Sequence, residues 1–130
     1  MRHNFVKAKC RSHVAASVET DRLGQSSGTA ICSIWQRPLD PVVIPDGFSI
    51  PPDRCAIAFW PGVLKEGLAV VSIHLHDCMG IAGLNVDVIK QWEGLLISLR
   101  VPFIIAGGWN VPPSELVECG LVQRLRAKVV

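Results

Sequence analysis

A chain of 130 residues, 49% apolar and 18% charged, has the length of one domain and the apolar content for a core, and too little charge and too much apolar content for a disordered chain. The net charge of +2 excludes a strongly basic nucleic-acid coat. Mean hydropathy is high at +0.35. Yet no stretch of about 18 apolar residues lacks a charge, so no membrane span is expected, and strands buried on both faces account for the value.

Residues 1–27 read as a polar N-terminal segment, expected to be poorly ordered, ahead of a domain over 28–130. Arg2, Lys7, Lys9 and Arg11 stand there without a nearby acid. No apolar stretch follows them, so they read as a solvated terminus rather than a secretory signal. The cysteines are Cys10, Cys32, Cys55, Cys78 and Cys119. An odd number without a close pair argues against a disulfide framework or a zinc knuckle. Free thiols in a reducing intracellular compartment are expected.

The apolar run at 29–35 (TAICSIW) suits a strand. Pro38, Pro41, Pro45, Pro51 and Pro52 then forbid a helix or central strand, so a long surface loop is expected. CAIAFW at 55–60 reads as a second strand, and LAVVSIHLH at 68–76 as a third, buried on both faces. Leu84, Val88, Trp92, Leu95, Leu96 and Leu99 fall at helical spacing over 84–99. Asn85 is the expected N-cap, with Asp87 near the positive end of the dipole. Gly94 sits inside that helix at a cost of about 1 kcal/mol against alanine. Pro102 ends it, and PFIIAG at 102–107 reads as a fourth strand packed in the core. Pro112-Pro113-Ser114-Glu115 begins a short helix that ends near Gly120. Strands 29–35, 55–60, 68–76 and 103–107 are expected to share one mixed sheet under one main helix, an α/β fold.

Two segments end buried strands in polar groups: VVSIHLH (70–76) and PFIIAGGWN (102–110). Ligand sites in α/β sheets lie beyond the carboxyl ends of strands. His74, His76 and Asn110 are therefore candidates for one rim. Trp35, Trp60, Trp92 and Trp109 read as packing residues rather than a base-stacking platform.

Four segments in order carry a resemblance. They are Gly28-Thr29-Ala30-Ile31 before the proline-rich loop, Leu68 to Leu75 ending in His-Leu, Pro102 to Asn110 ending in Gly-x-x-Asn, and Pro113-Ser114-Glu115-Leu116. Together they make roughly four fifths of the chain resemble the endonuclease/exonuclease/phosphatase (DNase-I-like phosphoesterase) family. The resemblance implies a partial α/β sandwich and magnesium-dependent hydrolysis of phosphate esters, on DNA, RNA, phosphoinositides or other substrates. It also implies that His74 and Asn110 contact the phosphate.

The sequence departs from the family pattern in three ways. Gly108 stands where the motif has the Asp that orients the attacking water, a role worth about 10²–10⁴-fold. The early metal-binding carboxylate has no counterpart at the right spacing, Glu19 being the nearest acid. No Asp-His pair follows Asn110. The resulting expectation is a catalytically inactive chain with no metal ligands of its own.

Two other readings stand beside it. One is a non-catalytic remnant that binds nucleic acid or a protein, or self-associates through an open sheet edge. The other is a metallo-β-lactamase-like hydrolase, suggested by His74-Leu75-His76-Asp77. That family spaces the Asp differently and needs a later histidine, which this sequence lacks.

Overall fold

The apolar run LAVVSIH becomes the inner strand β5 (Leu68–His74) of a mixed sheet. The computed structural model describes residues 11–13, 29–33, 39–51 and 54–130. β5 pairs antiparallel with β4 (Cys55–Trp60) on one side and parallel with β6 (Phe103–Gly108) on the other. The 61–67 turn suffices to reverse the chain between β4 and β5. A parallel neighbour needs a crossover, and α1 (Gly83–Leu99) supplies it. The fold is thus mixed α/β. Two short helices, α2 (Pro113–Glu118) and α3 (Leu121–Arg124), follow β6. Gly120 divides them at φ +78, a conformation that favours glycine. Among the described residues, no helix is long and apolar enough to cross a membrane.

The fourth strand of the sheet differs from expectation. The 29–35 run yields β2 (Ile31–Ser33), which pairs with β1 (Arg11–His13) in a separate two-stranded sheet. The main sheet is completed by β3 (Asp40–Pro41), from the proline-rich stretch read as loop. β3 is an edge, where a proline without an N–H is tolerated. Arg2, Lys7, Lys9, Cys10, Glu19 and Trp35 lie outside the described residues.

The alternation of β5 divides the core. Ala69, Val71, Ile73 and Leu75 face α1 with Cys55, Ile57, Val88, Ile89, Trp92, Leu95 and Leu96. Ala56 and Ala58 point the other way and pack with Ile31, Leu39 and Val70. Gly94 has a packing reason: a Cβ there would come within 3.1 Å of Phe48 Cε1. The glycine lets the loop carrying Phe48 lie close on the helix, and Ser49 N donates to Gln91 Oε1 nearby, at 3.0 Å. Glu93 is buried and fixes α3 through two bonds from Arg124, Nε to Oε1 at 2.6 Å and Nη2 to Oε2 at 3.0 Å.

Two expectations for these elements fail. Among the described residues β6 is an edge strand, packed on the core through Phe103 and Ile105 on one face only, with Ile104 54% exposed. An unbroken apolar run does not reveal which face is covered. Asn85 is not the N-cap either. Ala82 takes that place without a side-chain bond, the first turn holds no acid, and Asn85 lies fully buried inside the helix.

Candidate functional site

Because β5 and β6 run parallel, their carboxyl ends share one rim, and there His74 is in register with Gly108. His74 N donates to Arg54 O at 2.9 Å, and Leu75 N donates to Gly108 O at 2.8 Å. Asn110 follows at φ +53, a left-handed conformation that Asn tolerates better than most residues. Its Nδ2 donates to Leu75 O at 2.6 Å. His74 and Asn110 therefore flank one backbone junction, and the Asn110 amide nitrogen ties the β6 exit to the β5 exit.

The two glycines of the junction have different reasons. At Gly107, with φ +140, a Cβ would lie 2.0 Å from Ile73 O, so no side chain fits without moving backbone. At Gly108 the backbone is ordinary, but a Cβ would lie 2.8 Å from His74 Cδ2. The imidazole thus occupies the space beside position 108 that a side chain there would need. This contact involves a rotatable ring, so a side chain at 108 is admitted only if His74 turns.

His76 follows Leu75 directly, at the start of a loop pinned by a residue that sequence reasoning assigned otherwise. His76 N donates to Asn85 Oδ1 at 2.8 Å, and Asn85 Nδ2 donates to His76 O at 3.0 Å and Gly80 O at 2.9 Å. The side chain that was expected to cap its own helix instead holds the 76–80 loop. A signal existed: 85, 88, 89 and 92 share one helix face, so Asn85 stands on the apolar side and must find buried partners.

Magnesium prefers carboxylate and water oxygens in octahedral geometry. His74, Gly108 and Asn110 offer an imidazole, no side chain and an amide whose Nδ2 donates to Leu75 O, and no carboxylate. Without a carboxylate, these three residues alone fit that ion poorly. Among the described residues, no group of three or more His, Cys, Asp or Glu is placed to hold a metal. His74-Leu75-His76-Asp77 accordingly forms no such cluster with its described neighbours.

The thiols divide by burial. Cys55 lies in the core, where desolvation pushes its pKa up to about 12. Cys78 is exposed at φ +57 in the 76–80 loop. The Arg124 guanidinium is held above its ordinary pKa, first by its hydrogen bond to Glu93.

Comparison with family models, with curated proteins and with solved structures gave no match. The rim itself is a strand-end junction in a mixed α/β sheet, built from His74, Gly108 and Asn110.

Proposed function

We propose that this chain is a partial phosphoesterase-like α/β domain of the endonuclease/exonuclease/phosphatase type that does not hydrolyse phosphate esters. The observation that carries this reading is the contact at position 108. The residue that would orient water is a glycine, and the His74 ring stands against it. Asn110 supports the same reading, since its amide nitrogen gives one of its two N–H groups to Leu75 O. On this view the ordered segments that resemble the family keep the sheet and crossover, while the rim has become a backbone clamp.

The test is a nuclease and phosphatase assay with magnesium and with manganese, on the natural chain and on Gly108→Asp. Neither is expected to turn over substrate. Catalytic groups act as a unit, so one restored carboxylate without metal ligands recovers little. Turnover by the natural chain, abolished by a chelator and by Asn110→Ala, would overturn the proposal. Turnover by Gly108→Asp alone would overturn it in part, by showing that another acid, Glu19 being the nearest in sequence, completes a metal site.

A further inference from the structure

Among the described residues, β6 is the outer strand of the main sheet, and its register fixes its backbone alternation. Ala69 N donates to Pro102 O and Leu75 N donates to Gly108 O, both at 2.8 Å. With Val71 in register with Ile105 and Ile73 with Gly107, the even residues of β6 turn their N–H and C=O groups toward β5. The odd residues Phe103, Ile105 and Gly107 turn theirs outward. Pro102, which has no N–H, faces inward, so the free side keeps all its donors. The strand FIIAGG carries no charge, and thus lacks the lysine, outward proline or inward-pointing charge that commonly protects an edge. Below it, on the α1 side, lies an open apolar groove of about 590 Å³, whose lining includes Phe103, Ile105, Leu121 and Leu125.

We infer that β6 pairs antiparallel with β6 of a second copy of this chain, centred on Ile105. The edge itself selects this occupant. A row of backbone donors and acceptors calls for an extended strand, and FIIAGG is complementary to itself about Ile105. In this register Phe103 lies opposite Gly107 of the second copy, so an aromatic ring covers a glycine that cannot carry a side chain. Ile105 meets Ile105, and Ile104 meets Ala106 on the opposite face. Paired residues in an antiparallel ladder point to the same face. The Phe103 and Ile105 side chains of the second copy therefore extend over the groove, and each copy's main sheet continues into the other's. This inference is independent of whether the rim hydrolyses anything.

The experiment combines sedimentation of the full chain over a concentration series with amide hydrogen exchange. A dimer is expected to form as concentration rises. The amides of Phe103, Ile105 and Gly107 should gain protection with it, while those of Ile104, Ala106 and Gly108 stay protected throughout. The double substitution Ile104→Lys with Ala106→Lys sets like charges opposite each other and should leave a folded monomer by circular dichroism. Mixing it with Ile104→Glu/Ala106→Glu should restore a heterodimer. A chain that stays monomeric, odd amides whose exchange is independent of concentration, or association that persists in the lysine variant would each overturn the proposal. If the lysine variant fails to fold, the amide pattern of the natural chain decides alone.

Discussion

The two faces of the main sheet are built to different standards. On the α1 side, Val71, Ile73 and Leu75 are each 1% exposed, and Trp92 and Leu95 are fully buried. On the other side, the small residues Ala56, Ala58, Ser72, Ala106 and Gly108 alternate with Trp60, Leu68, Val70, His74 and Ile104, none of which is as fully buried. The β4 part of that face is covered, Ala56 and Ala58 packing with Ile31, while Ile104 on β6 faces solvent. Burial of large side chains, and hence the hydrophobic contribution to stability, is therefore concentrated on one face. The same substitution should cost very different amounts on the two faces.

The largest effect is expected at Trp92. It is fully buried and its ring meets Trp109 edge-on, with centroids 5.6 Å apart. Trp92→Ala should destabilise the fold by about 3–5 kcal/mol, read as a drop in the urea midpoint. A loss under about 1 kcal/mol would mean that the helix-side core is not the main source of stability.

Next comes Asn85, whose side chain makes three bonds to the 76–80 loop. Asn85→Ala leaves His76 N–H and two carbonyls without those partners, at a cost of about 1–3 kcal/mol. The loop should loosen first. Amide exchange at His76 is the measurement, and it should accelerate more than exchange in β5. Equal acceleration at both sites would show that Asn85 acts on the whole fold rather than on the loop.

Asn85 also shows how far the sequence could be read. Periodicity located the helix, expected over 84–99 and found over Gly83–Leu99, because its apolar stripe is long. Strand 55–60 was equally legible, bounded by turn residues on its C-terminal side. The placement of β2 was not, since nothing in TAICSIW says which strand it will pair with. Nor was the exposure of β6, because Phe103, Ile104 and Ile105 are all apolar and only the neighbouring layers decide which of them is covered. At the rim, the sequence could put His74 and Asn110 on strand ends. It could not foresee that the Asn110 amide would bond Leu75 O or that the His74 ring would stand against position 108.

The core face can also be probed by pH. Burial raises the Cys55 pKa from 9.0 to about 12, so the folded state favours the neutral thiol. A folded-state pKa above the unfolded value contributes stability that is fully present below pH 9.0. That stability is lost as pH rises toward about 12. The natural chain should lose stability across this window with a limiting slope of about 1.4 kcal/mol per pH unit from this group. Cys55→Ala should lack that component. Parallel pH profiles for the two proteins would show that Cys55 is solvated in the folded state.

The smallest effect is expected from Ile104→Ala, and its control is the next residue on the same strand. Ile104 and Ile105 are chemically identical neighbours, but Ile104 is 54% exposed while Ile105 packs against the helix-side core. A buried isoleucine loses transfer energy and leaves a cavity when cut to alanine, whereas an exposed one loses neither in full. Ile104→Ala should therefore change stability by no more than about 0.5 kcal/mol, and Ile105→Ala should cost clearly more. Both must be measured at concentrations too low for β6 pairing. Association with a second copy adds stability by mass action and would enlarge the Ile104 effect as concentration rises. A small cost in dilute solution that grows with concentration places Ile104 on an open face covered from outside the chain. A cost of about 2 kcal/mol or more that is already present in dilute solution would place it under cover within a single copy, and the contrast in burial between the two faces would not extend to β6.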